Sequence, residues 1–203
     1  KENEIEQLFT KDSTNDKAKP ILKLIDLSGS IPAVGKNQTI YFAGSKIDSE
    51  GRFLGSPDLF QYNLKTKITK NLTKTKWEEW RPAPDPSGRF IYYIANPTGQ
   101  FDIYRLDVDT GVKTLFYGSE ADEWDPDVSQ DGRWVVFASR QNGNWDIFIA
   151  STDDSRKLFQ LTSGITDDWD PKFTPLSNAI IFASSKNNKP PFMYYLCPFG
   201  ETN

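Results

Sequence analysis

A four-residue phrase returns in register along the chain: Glu79-Trp80-Arg81-Pro82, Glu123-Trp124-Asp125-Pro126 and Asp168-Trp169-Asp170-Pro171. Its tryptophans stand forty-four and forty-five residues apart. A fixed period of that length marks a stacked or radial array of small sheets, each unable to bury its hydrophobic face without a neighbour.

Laid beneath one another, the periods each read as four short strands. The clearest copy has strands at 124–128, 133–139, 145–150 and 157–162, and its first turn carries Asp131-Gly132, a pair that accepts the positive φ of a tight hairpin. The preceding copy runs 80–84, 89–95, 101–106 and 112–117, and a degenerate earlier one 31–34, 38–43, 57–60 and 68–73. A last copy supplies 169–173, 179–184 and 192–196 but no fourth strand. Residues 4–10 resemble 157–162 and are expected to provide it, pairing the two ends of the chain and removing an open sheet edge. The expectation is therefore an all-β, single-domain β-propeller spanning 1–203, with four blades of four antiparallel strands (about 29–73, 80–118, 124–163 and 169–197 plus 4–10). The apolar stretch 21–27 is expected to be an extra strand packed on the ring.

Composition narrows the function classes. The chain has no histidine, which removes the usual general base, the Ser-His and Cys-His nucleophile pairs and the commonest zinc ligand. Its single cysteine, Cys197, excludes an internal disulfide. A net charge of −4 with scattered basic residues argues against nucleic acid as a partner. Apolar runs such as 134–138 and 179–183 are far too short for membrane insertion. The sequence opens on Lys1 rather than Met, which is read as a trimmed start or a removed signal segment, with the second preferred.

The combination of Trp124 and Pro126, Asp131-Gly132, Phe137-Ala138-Ser139, Asp146-Ile147-Phe148 and Leu161-Thr162 resembles the WD40-like propeller repeat of TolB-type proteins. The likeness covers roughly residues 29–197. Arg81 departs from it where the repeat has Asp, and Phe192 stands where the repeat has the Asp that opens the third strand. The resemblance implies a propeller in an exported bacterial protein, periplasmic or secreted, that binds proteins or peptides at one face. The family's namesake has six blades and an amino-terminal domain, neither of which is read here, so no particular partner carries over.

In such a ring the first strand of each blade lines the channel and the residues before it gather at one rim. Glu78, Glu79, Asp122, Glu123, Asp125, Asp167, Asp168 and Asp170 are thus expected to converge near the axis, with Arg81 breaking their symmetry. Crowded carboxylates repel one another and invite a cation such as Ca²⁺ or a Lys or Arg of a partner, unless internal groups such as Arg81, Lys76 and backbone N–H already satisfy them. Asp58, Asp102 and Asp146 recur with the blade and are read as local hydrogen-bond fixtures, and Trp80, Trp124 and Trp169 as inter-blade packing. The stretch 107–111 opens like a calcium loop but lacks the later glutamate, so it is read as a turn.

The sequence thus points to a non-enzymatic binding module that recognises a protein or peptide at an acidic rim, as a monomer or a ring-completing homo-oligomer. The alternative is a carbohydrate-active enzyme or lectin that uses rim carboxylates and Trp residues.

Overall fold

The computed structural model describes residues 9–10, 19–20, 25–27, 30–176, 179–185 and 191–196. Every regular element among them is a β-strand, and none is a helix long and apolar enough to cross a membrane. Three short strands come first: β1 (Phe9–Thr10), β2 (Lys19–Pro20) and β3 (Ile25–Asp26). The first sheet has inner strand β4 (Ala33–Gly35), then β5 (Thr39–Lys46), β6 (Asp58–Asn63) and β7 (Thr69–Asn71). The second has β8 (Glu79–Pro84), β9 (Phe90–Ala95), β10 (Asp102–Asp107) and β11 (Lys113–Tyr117). The third has β12 (Glu123–Val128), β13 (Trp134–Ser139), β14 (Asp146–Ser151) and β15 (Leu158–Gln160), and the fourth β16 (Asp167–Phe173), β17 (Ile180–Ser185) and β18 (Phe192–Leu196). All pairings are antiparallel, and within the four sheets β4 to β18 each joins neighbours in sequence, the meander of a propeller blade; β3 alone among the described strands skips one, pairing β5.

The second strands of the sheets read as continuous hydrophobic runs because both their faces are covered. In β9, Tyr92 and Ile94 point into a core shared with Val135, Phe137 and Phe148 of the third sheet. Ile91, Tyr93 and Ala95 point the other way, into a core shared with Tyr41, Ala43 and Leu59 of the first. A third core joins Val136, Ala138, Ile147 and Ile149 to Ile180 and Phe182 of the fourth sheet. Period-two alternation puts successive side chains on opposite faces, so one strand serves two interfaces at once.

The chain's ends differ from expectation. Phe9–Thr10 pairs with Lys19–Pro20, not with β18, and residues 4–8 lie outside the described residues. No described strand pairs the outer edge of β18, whose Phe192, Met193, Tyr194 and Tyr195 are 62%, 77%, 51% and 76% exposed. Within the expected extra strand 21–27, Ile25–Asp26 does form one, pairing with Ser45 and Lys46 at the far end of β5, and Ile25 and Leu27 are buried against Phe42, Phe60 and Tyr62.

A channel, a rim and three buried junctions

The recurring Trp-x-Pro phrase is a β-bulge. The register of β8 on β9 slips between Trp80 and Ala83, that of β12 on β13 between Trp124 and Asp127, and that of β16 on β17 between Trp169 and Lys172. The residue after each Trp sits in the left-handed region: Arg81 at φ 55°, Asp125 at 53° and Asp170 at 53°. Aspartate tolerates this conformation and arginine less readily, at a cost of about 1 kcal/mol for a non-glycine residue. The following Pro82, Pro126 and Pro171 are buried, and each lies where the ladder is interrupted, so its missing N–H leaves no donor unmet.

The bulges turn three side chains into one cavity of about 330 Å³ bounded by all four inner strands. Arg81, Asp125, Asp127, Asp170 and Lys172 supply its charge, and Ile31 and Val34 of the first sheet supply an apolar wall. Arg81 Nε lies 3.1 Å from Asp125 Oδ1, and its guanidinium is 5.8 Å from the Trp124 ring centroid. The Arg81–Asp125 contact is a charge pairing whose angles fall short of a hydrogen bond, so Asp125 Oδ1 keeps no donor. Burial pushes the Asp125 carboxyl above its ordinary range, with Arg81 and Lys172 opposing the shift and Asp170 adding to it. Asp127 is likewise raised by burial, against Lys172, whose Nζ is 3.9 Å away, and the Phe173 N–H, which donates to Oδ2 at 2.8 Å. Asp170 is exposed.

The other acids expected at the axis are placed elsewhere. Glu79, Glu123 and Asp168 are buried at sheet junctions, and none of them lines the cavity. Their N–H groups donate to the carbonyls of Pro57 (3.1 Å), Phe101 (2.8 Å) and Trp145 (2.8 Å), a repeated stitch between neighbouring sheets. Glu123 accepts from the Ser119 and Ser139 hydroxyls at 2.6 and 2.9 Å. Glu79 pairs across the ladder with Ala95, where Glu123 pairs with Ser139, and both its oxygens lack a hydrogen-bond donor although Thr73 and Thr75 are near. Burial pushes both carboxyls up to about 7, and each has a strand-opening Asp beside it that raises it further: Asp58 for Glu79, Asp102 for Glu123.

Glu78, Asp122 and Asp167 remain at the rim. Asp122 accepts the Phe101 N–H at 3.0 Å and Asp167 the Trp145 N–H at 3.0 Å, so two of the three tie one blade to the next. Asp58, Asp102 and Asp146 are held by local partners: Asn71 Nδ2 donates to Asp58 at 2.6 Å, Gln100 Nε2 to Asp102 at 3.2 Å and Gln160 Nε2 to Asp146 at 3.1 Å. Trp124 packs against Phe101 in a tilted pair with ring centroids 5.2 Å apart, and Trp80 and Trp169 pack against inter-sheet cores. Asp107 caps its own turn through the N–H groups of Asp109 and Thr110 and is bound by Arg89, consistent with a turn over 107–111. Among the described residues no group of three or more His, Cys, Asp or Glu is placed to hold a metal ion.

A family model described as the TolB beta propeller domain matches residues 43–197. No curated protein matches the chain. Among solved structures, TolB from Acinetobacter baumannii superposes with a TM-score of 0.74 at 18% identity, covering 94% of this chain and 46% of its own. A putative TolB from Agrobacterium tumefaciens gives 0.65 at 24%, covering 78% and 57%. The tricorn protease gives 0.64 at 17%, covering 93% of this chain and 18% of its own. The chain thus spans about half the length of the TolB structures it matches, and at these identities the likeness is one of fold.

Proposed function

The chain belongs to the TolB β-propeller domain family, and from that premise we propose that it is a non-enzymatic binding module for a protein or peptide, working outside the cytoplasm and engaging its partner at the rim and mouth of the channel. The observation that carries this is the cavity of about 330 Å³ into which three bulges turn Arg81, Asp125 and Asp170. Bulges held in the left-handed region fix side-chain direction at a local energetic cost, and features of that kind concentrate where a surface has a task. The lining carries both signs of charge at fixed positions, which suits selection of a polar partner by complementarity. Glu78, Asp122 and Asp167 extend this surface along the rim, while Glu79, Glu123 and Asp168 build the junctions beneath it.

The reading includes four-blade closure. The open edge of β18, with its exposed aromatic residues, is the acceptor, and the segment 4–8, which reads like the outer strand of the third sheet, is the donor. A ring-completing second copy is the other way to cover that edge.

A carbohydrate-active alternative draws on Asp125 and Asp127, both raised by burial and both lining the cavity. Peptide-display selection against the immobilised chain, repeated with Asp170→Lys, tests between them. Enriched peptides that lose at least tenfold in affinity to the variant support the binding module. Peptides indifferent to Asp170, or cleavage of an oligosaccharide abolished by Asp125→Asn, overturn it.

A further inference from the structure

At two of the three sheet junctions, the residue that precedes the third strand is aromatic and donates its N–H to an acid of the next sheet. Phe101 sets its ring at a tilt against Trp124 and donates its N–H to Asp122, and Trp145 donates its N–H to Asp167. The same position at the junction of the first and second sheets is Pro57, which precedes β6 as Phe101 precedes β10. Its carbonyl still accepts the Glu79 N–H, so the backbone stitch is intact. Proline, however, brings no aromatic ring for Trp80 and no N–H for Glu78.

What is left is a cavity of about 510 Å³ lined by Phe53, Gly55, Pro57, Glu78 and Trp80 among others. Glu78 is exposed, and among the described residues its carboxylate takes only a long 3.5 Å contact from the indole N–H of Trp80. Among the described residues it enters no ion pair. Phe53 is 60% exposed, on a loop tied back to β5 by the Ile47–Phe53 bridge and by the Leu54 N–H, which donates to the Lys46 carbonyl. The walls therefore include two aromatic rings and one carboxylate, and among the described residues no cation pairs with that carboxylate.

We propose that this cavity is a binding site for an arginine side chain of a partner protein. The guanidinium takes the place that the Phe101 ring holds one junction along, against the Trp80 face and flanked by Phe53, and its N–H groups supply Glu78 with the donors that Pro57 withholds. A neutral ring fills the space without answering the carboxylate. A lysine ammonium answers the carboxylate without the plane. The site lies on the rim of the proposed partner surface and rests on that reading only for the arginine's source.

The test is a titration of the isotope-labelled full chain with Nα-acetyl-arginine amide, followed by NMR, with the neutral citrulline and the lysine analogues in parallel. Saturable shifts are expected at Gly55, Ser56, Glu78 and the Trp80 indole. Citrulline and the Glu78→Gln variant should each bind roughly tenfold more weakly, the difference between a charge-assisted and a neutral contact. Pro57→Phe refills the junction and should abolish arginine binding while raising Tm, an outcome that a variant failing to fold does not give. Equal binding of citrulline and arginine, or no saturable shift at these residues, overturns the proposal. Asp170→Lys should leave the arginine titration unchanged: a peptide partner indifferent to Asp170 counts against the channel reading alone, and a silent arginine titration against this site alone.

Discussion

Glu79 is the residue at which the fold and its energetics conflict most plainly. It is fully buried, neither oxygen has a donor, and burial pushes its carboxyl up to about 7 from an ordinary 4.5. The folded chain therefore holds a proton there that the unfolded chain has released. Its contribution is intact below about 4.5 and is lost as pH rises towards about 7, on the order of 3 kcal/mol. Glu79→Gln keeps the shape and removes the charge, so it should raise Tm at pH 8 and leave it nearly unchanged at pH 4.5. Thermal melts at the two pH values check this, and an equal shift at both contradicts it. Glu123 has the same elevated carboxyl but three donors from Ser119 and Ser139, so Glu123→Gln should help less at pH 8 because it disturbs bonds that Glu79 never makes. These differences were only partly legible in the sequence. The acids around each Trp were visible as a cluster, but their division among rim, junction and channel depends on strand alternation and on the bulge, and nothing in the residue types alone announces a slip of register.

At the level of the element, the four-strand copies were legible because period-two alternation, Gly turns and β-branched or aromatic runs agree in each of them. Gly132, at φ 72°, and Gly111, at 73°, sit in the turns their sequences indicated. The bulge was less visible: Trp-x-Pro reads as a strand start, yet its middle residue is left-handed in every copy. Asp tolerates that conformation, and Arg81 in its place is compensated by the Asp125 carboxylate and the Trp124 face. Arg81→Ala should thus leave Asp125 buried beside Asp170 without its nearest cation and cost about 1–3 kcal/mol, read by urea unfolding. Asp125→Asn together with Arg81→Ala should recover part of the loss, since the uncompensated charge is then gone. Phe101→Ala should cost about 3 kcal/mol by emptying the ring contact with Trp124. The position of Pro57 opposite Phe101 and Trp145 could have been read from the aligned repeats. It carries no signal until the junction contacts show what a proline there omits.

For the whole molecule, the sheets follow one another through shared cores between the first and second, second and third, and third and fourth. The repeat made that succession legible. It could not show how the ends meet, because two-residue pairings such as Phe9–Thr10 with Lys19–Pro20 depend on tertiary context more than on pattern. If the ends close the ring, deleting residues 1–10 should lower Tm or promote association through the exposed β18 edge. An unchanged melt with a monomeric mass contradicts four-blade closure. The function proposed for the ring is tested most directly by mapping amide shifts on the labelled chain as a display-selected peptide is added. The account predicts perturbations gathered at residues 78–84, 122–128 and 167–172, and a map confined to the outer strands β7, β11 and β15 would contradict it.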